Sequence, residues 1–341
     1  MRMRRVVLAL TAVLASGALG LSAPAQGAQP ELVCQDLNLP VSLVGSAQTL
    51  YGRLCTPAGS RTVQVLVPGA SYNSSYWDFP YTPETRSYRL AMNNAGYATL
   101  TIDRLGTGRS SRPASALLTS FTQATVVHQA IQALRTGTGT PQFDKVILGG
   151  HSVGSAIAMI EAGTYHDVDG VLITGLTHGV NALGAVPIVA SLTPASLDPR
   201  FITKGYDLGY LTTVAGSRYA DFHQPGLPVL GVDNTDEATK DAFAAGEVVD
   251  TVLLGAVLPY SRRITVPVML AMGDDPAFCG LLAADCDTAE SLYESEAPAY
   301  SPEAHLHTFV LHSYGHSLNL APDAPVYHAA VVAWADDTVG R

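Results

Sequence analysis

Residues 145–158 read K-V-I-L-G-G-H-S-V-G-S-A-I-A, and the reading of this stretch decides the reading of the rest. Val146, Ile147 and Leu148 form a short apolar run of the buried-strand type, and the small residues after Ser152 are good helix formers. A strand therefore turns abruptly into a helix at Ser152. Gly150, His151, Ser152, Val153 and Gly154 fill the pattern G-x-S-x-G, whose glycines let strand and helix approach closely around a strained residue. Ser152 would present its hydroxyl clear of the sheet, and the helix N-terminus would supply N–H groups and positive potential where an oxyanion forms. The pentapeptide alone recurs by chance; its flanks give it weight.

Outward from this turn, strands and helices alternate. Val41–Pro57, broken at Gly45-Ser46, reads as an edge hairpin, and Arg61–Val67 as a β-branched strand ended by Pro68-Gly69. A polar, aromatic loop over Ala70–Tyr81 follows, then a helix over about Pro83–Asn94 and a strand over Tyr97–Ile102. The glycine-rich loop Asp103–Ser110 does not have G-x-G-x-x-G spacing, because Ser111 stands where the third glycine belongs, so it is not a nucleotide-binding loop. Thr119–Leu134 has apolar residues at helical spacing, with His128 read as a packing residue. A strand over Val168–Thr174 follows the helix after Ser152, and strands return at Thr265–Met272 and His305–Leu311 before a last helix over about Ala324–Asp336. This rhythm predicts an α/β protein with a doubly wound, mostly parallel sheet.

Between about Leu176 and Arg263 the rhythm stops. A compact domain does not tolerate so long a structureless loop, so residues 176–263 are expected to form a mostly helical cap or lid inserted into a core of residues 29–175 and 264–341. The N-terminus is a different matter. Arg2, Arg4 and Arg5 precede an apolar run from Val6 to about Leu21 and then small residues, including Ala25-Gln26-Gly27-Ala28, which reads as a secretory signal peptide over residues 1–28. The apolar run is too short for a stable membrane anchor, and a cleavage-like site follows it directly.

The 341 residues are 47% hydrophobic, enough for a sizeable core. Net charge is -10, and loss of the three arginines with the signal segment makes the mature chain more acidic still, so nucleic acid and anionic membrane surfaces are poor partners. Cys34, Cys55, Cys279 and Cys286 fall into two pairs close in sequence. For an exported chain this suggests disulfides; of three connectivities, Cys34–Cys55 with Cys279–Cys286 closes the two short loops. Zinc is the weaker reading, as no C-x-x-C spacing occurs, and His305 and His307 have no carboxylates at metal-site spacing nearby.

A serine hydroxyl is a weak nucleophile at neutral pH and needs a base, which in turn needs orienting. Val266–Met272 runs into Gly273-Asp274-Asp275-Pro276, which puts carboxylates at the C-terminal end of a strand, and the last strand leads through Ser313-Tyr314 to Gly315-His316. The order is Ser, Asp, His. With G-H-S-V-G, D-R-L-G-T-G-R-S, G-D-D-P-A-F and G-H-S-L-N-L in place, the chain resembles α/β-hydrolase-fold serine hydrolases of the secreted esterase and lipase type over nearly its whole mature length.

That resemblance implies Ser152 as nucleophile, His316 as base and an aspartate as its partner. Counting back from Pro276-Ala277-Phe278 favours Asp275 over Asp274, although this loop is one residue shorter than is usual in the family. The oxyanion hole falls to the N–H groups of Ala70 and Val153, with Ser71 as the alternative to Ala70, because Pro68-Gly69-Ala70 replaces the common His-Gly. His151 is expected to pack against the sheet, and His178 to cap or face solvent rather than line the pocket. The implied activity is hydrolysis of a carboxylic ester, a lipid or lactone included, through an acyl-enzyme and with no cofactor. An aminopeptidase or amidase, which would want an acidic cluster such as Asp233, Asp236 and Glu237, and a cofactor-free perhydrolase are the alternatives. A binding protein that had lost catalysis would not need all three triad residue types.

Overall fold

The computed structural model describes residues 31–256 and 259–341; the expected signal peptide lies outside them. In chain order the strands are β1 (Leu32–Leu43), β2 (Ser46–Pro57), β3 (Thr62–Val67), β4 (Ala98–Ile102), β5 (Lys145–His151), β6 (Gly170–Thr174), β7 (Leu192–Pro194), β8 (Tyr210–Thr213), β9 (Phe243–Ala244), β10 (Val268–Gly273) and β11 (His307–Leu311). The α-helices are α1 (Pro83–Arg86), α2 (Tyr88–Asn94), α3 (Ser120–Thr136), α4 (Val153–Tyr165), α5 (Ala182–Ala190), α6 (Leu230–Thr239), α7 (Ala245–Ala256), α8 (Ala289–Glu296) and α9 (Ala324–Thr338).

Eight strands form one sheet in the order β1-β2-β4-β3-β5-β6-β10-β11. From β4 to β11 all neighbours are parallel, and β1 and β2 add an antiparallel edge. Strands buried on both faces read as continuous apolar runs, and their alternate residues serve two different cores. Val65, Val67, Val146, Leu148, Val171, Ile173, Leu270 and Met272 pack with α3 and α4. Their neighbours Leu66, Ile147, Leu172, Met269 and Ala271 point the other way, to Tyr88 and Met92 of α2 and Tyr327, Val331 and Trp334 of α9. This two-sided burial is the doubly wound α/β arrangement that the sequence rhythm predicts.

Several elements differ from expectation for local reasons. The first strand starts at Leu32, well before Val41, because Cys34 lies opposite Cys55 in register and bonds to it across the hairpin. The helix expected over 83–94 is interrupted at Ser87, whose extended backbone lets its Oγ accept from Leu90 N at 3.0 Å and start a new helix. Helix α8, capped by Thr288, was not visible as a separate element between the last two strands. The second disulfide, Cys279–Cys286, closes the loop after β10.

The insertion carries the expected helices and a small sheet that the sequence did not announce. Alongside α5, α6 and α7 it holds a three-stranded antiparallel sheet, β7-β8-β9, whose strands of two to four residues are too short to display a period-two pattern. Two buried arginines join it to the core. Arg104, at the end of β4, pairs with Glu247 of α7, and both side chains are completely buried. Arg218, from the cap, reaches back to Ser71 after β3.

Candidate active site

The site lies over the C-terminal ends of β3, β5, β10 and β11, where the parallel strands deliver their following loops to one edge. At the end of β5 the chain reverses into α4 through Ser152, which has φ 54° and ψ -120°. That is a costly conformation for a residue with a Cβ and persists only where the surroundings enforce it. Those surroundings have no room to spare: a Cβ on Gly150 would come within 2.3 Å of Gly154 O, and one on Gly154 within 2.2 Å of Val67 O. The two glycines of the pattern thus let α4 sit directly on β5 and β3.

His316 follows β11 and is buried, with its Nδ1 2.6 Å from Asp275 Oδ2. The other Asp275 oxygen accepts from Ala277 N at 3.0 Å, so this carboxylate is fixed from both sides. Asp274 points elsewhere. Its oxygens take the exposed His312 Nδ1 at 2.9 Å and Ser313 N at 2.6 Å, which braces the loop carrying His316 without touching its ring. The His316 imidazole is flanked by Phe222 of the cap and Phe278 of the disulfide loop, each with a centroid separation of 5.6 Å. Ser152 and His316 line the same cavity. No hydrogen bond joins them here, a contact that commonly tightens only with substrate in place.

The N–H groups of Ala70 and Val153 have no protein acceptor among the described residues, and both residues line the cavity, Val153 as the first residue of α4. Ser71 is buried with φ 57° and its Oγ accepts from Arg218 Nη1 at 2.9 Å. The loop carrying Ala70 is therefore held from two directions, since Arg104 Nη2 donates to Gly69 O at 3.0 Å. Sequence reasoning missed both arginines. Arg104 sits in D-R-L-G-T-G-R-S, a motif noticed for its glycines, whereas no pattern marks Arg218.

Arg218 belongs to a buried network. Its Nε and Nη2 both donate to Asp236 at 2.9 Å, its guanidinium lies 4.3 Å from the Tyr72 ring centroid, and His223 places Nε2 3.0 Å from Asp236 and Nδ1 3.0 Å from Asp233. Burial works against both charges, but Asp236 holds the Arg218 guanidinium above its ordinary range and Arg218 with His223 holds the Asp236 carboxyl below its own. Removing one partner strands the other in a dry interior. Arg218→Met is accordingly expected to lower the unfolding free energy by about 3–5 kcal/mol, read by urea denaturation; a loss below about 1 kcal/mol would show that the network adds nothing beyond an ordinary surface pair.

The remaining histidines divide cleanly. His151 is fully buried, stacked on Tyr76 at 4.1 Å, and burial, then the proximity of His316 and Arg218, keep it well below its ordinary pKa. It is a neutral packing residue. His178 bonds Glu296 at 2.6 Å and Ser261 at 2.6 Å, outside the cavity, rather than facing solvent. His305 and His307 are exposed. Asp233, Asp236 and Glu237, considered above as an amine-binding cluster, are committed to His223, Arg218 and Lys240.

The cavity measures about 130 Å³ and its wall is overwhelmingly apolar. Of the insertion's aromatic residues Phe222 and Phe243 line it, while Phe201, Tyr206 and Tyr210 are buried in the packed interior. The rest of the wall that the cap supplies comes from Ile188 and Val189 of α5, Leu192 of β7 and Val248 and Val252 of α7.

The chain belongs to the alpha/beta hydrolase family, whose sequence profile matches residues 64–329. No curated protein matches it in sequence. Its fold is similar to those of solved hydrolases. A carboxyl esterase from Bacillus coagulans superposes with a TM-score of 0.60 at 15% identity, covering 89% of this chain and 98% of that one. A thermophilic esterase from Thermogutta terrifontis gives 0.56 at 15% identity, with 89% and 98% covered. A monoglyceride lipase from Saccharomyces cerevisiae gives 0.58 at 15%, with 92% and 96% covered.

Proposed function

We propose that this protein is a secreted serine hydrolase that cleaves carboxylic esters through an acyl-enzyme, with Ser152 as nucleophile, His316 as general base and acid, and Asp275 as the residue that orients it. The observation that carries the reading is the strained Ser152 at the strand–helix turn, sharing one apolar cavity with a histidine whose far nitrogen is tied to a buried carboxylate. His316 Nε2 accepts the hydroxyl proton as Ser152 Oγ bonds to the carbonyl carbon, and the carbonyl electron pair moves to oxygen. The N–H groups of Ala70 and Val153 hold that oxyanion at the positive end of α4. Collapse expels the alcohol, which takes its proton from His316. A water molecule then repeats the sequence on the acyl group, giving up a proton to His316, and Ser152 leaves as the hydroxyl.

Two features favour an ester over an aminoacyl amide. Asp236 and Glu237 are paired with the buried Arg218 and Lys240, Asp233 is bound to His223, and no acidic residue among those described lines the cavity to bind an ammonium group. The wall is apolar, suited to an acyl chain. Two disulfides fit an oxidising, extracellular location, and no helix among the described residues is long and apolar enough to cross a membrane.

Each methylene buried against this wall is expected to contribute about 0.8 kcal/mol, or roughly fourfold in kcat/KM per carbon until the cavity is filled. A nitrophenyl ester series from acetate to decanoate, measured beside aminoacyl anilides, tests this. A rise from acetate followed by a plateau or fall is expected, whereas flat ester values with faster anilide cleavage would replace the esterase by an aminopeptidase.

A further inference from the structure

On the α3/α4 face of the sheet, three side chains of metal-ligating type converge. His128 of α3 places Nδ1 2.8 Å from Asp167 Oδ2 and 3.5 Å from Glu161 Oε1. One ligand atom from each residue lies within 4.8 Å of the other two. Two atoms each about 2.1 Å from a single ion are at most about 4.2 Å apart, so the three are close to a ligating arrangement.

Glu161 is what makes this group unusual. It projects from the interior of α4, its side chain is completely buried, and neither of its oxygens accepts a hydrogen bond. The other two members are held in place by their neighbours. The His128 ring stacks on Tyr165 at 3.8 Å and 11°, with the Tyr165 hydroxyl donating to Thr125 Oγ1 at 3.2 Å. Gln132 Nε2 donates to Asp167 Oδ2 at 2.6 Å, and Arg135 holds the Asp167 carbonyl through Nε and Nη2 at 3.1 and 2.8 Å. A buried carboxyl group aimed between an imidazole nitrogen and a second carboxylate is pushed up to about 10 by burial and by Asp167, so it keeps its proton until a cation takes that position.

We propose that His128, Glu161 and Asp167 bind a divalent transition-metal cation, with zinc the best match. One imidazole nitrogen and two carboxylate oxygens form a donor set that favours zinc over calcium or magnesium, which prefer more and exclusively oxygen ligands. The cation supplies the counter-charge that Glu161 lacks. Glu161 lies nine residues, or about 13 Å of helix, along α4 from Ser152, so the ion does not touch the reacting groups. It fastens α4 to α3 and to the segment entering β6, and so acts on stability. The site has no sequence signature because its ligands come from α3, α4 and the turn after α4 with no short repeat between them; for the same reason His128 reads as a packing residue in the sequence.

The full mature chain, stripped with a chelator and titrated with zinc, is expected to bind one equivalent by calorimetry and to unfold at a higher temperature once loaded. Glu161→Gln keeps the shape of the side chain, and His128→Asn alters a position that is a quarter exposed; each should weaken zinc binding by about tenfold or more while leaving ester hydrolysis at the wild-type rate. A double variant of the exposed His305 and His307 serves as control and should bind as wild type. Absence of binding at 100-fold excess zinc overturns the proposal. So does binding that survives in both Glu161→Gln and His128→Asn, or that is lost in the control.

Discussion

Ser152→Ala is expected to reduce ester turnover by on the order of 10⁵-fold and to abolish labelling by a fluorophosphonate, while far-ultraviolet circular dichroism and the unfolding profile stay those of the wild type. His316→Ala should cost nearly as much, because nucleophile and base act as one unit and losing either leaves only binding and the oxyanion donors. A second variant separates catalysis from folding. Ser152 holds φ 54° only because Gly150 and Gly154 let α4 press against β5 and β3, and relieving such a conformation is worth about 1–3 kcal/mol. Ser152→Gly should therefore be inactive yet unfold at or above the wild-type temperature, the gain in native-state comfort meeting the entropy of a more flexible unfolded chain. A Ser152→Ala protein that kept a tenth of its activity would remove the nucleophile from this position, and a Ser152→Gly protein that unfolded well below wild type would show that the turn stores no strain at Ser152.

The parts of this arrangement that were legible in the sequence are those whose physics is local. An apolar run next to G-x-S-x-G defines a strand, a forced turn and a helix within fifteen residues, and the alternation of such units defines the doubly wound sheet. The Cys pairing was legible for the same reason, since each bond closes a short loop. What stayed hidden depends on contacts between distant segments. Arg218 meets Ser71 across 147 positions of chain and pairs with Asp236, and both charged residues look in sequence like ordinary solvated ones. The short strands of the cap fall below the length at which alternation can be seen, and nothing in the sequence separates Phe222, which lines the cavity, from Phe201, Tyr206 and Tyr210, which pack the interior.

The choice between adjacent aspartates yields the second large effect. Asp275→Asn is expected to lower kcat by about 10⁴-fold, and Asp274→Asn by no more than about tenfold. The asymmetry follows from what each carboxylate touches. Asp275 is buried, accepts from Ala277 N, and meets His316 Nδ1 at 2.6 Å, so in the proposed mechanism it would fix the tautomer that leaves Nε2 free to accept the serine proton and would stabilise the imidazolium that results. An asparagine there can present its NH₂ to Nδ1 and select the opposite tautomer, which donates towards Ser152 when it should accept. Asp274 acts one step removed: its carboxylate takes Ser313 N at 2.6 Å, at a residue with φ 64°, and so braces the turn that carries His316. Losing half of that brace loosens the base without changing its protonation. The measurement is kcat and KM for each variant on a single nitrophenyl ester, with the pH profile of kcat recorded for both. A larger loss in Asp274→Asn would transfer the orienting role to that residue and imply that the loop after β10 rearranges when substrate enters.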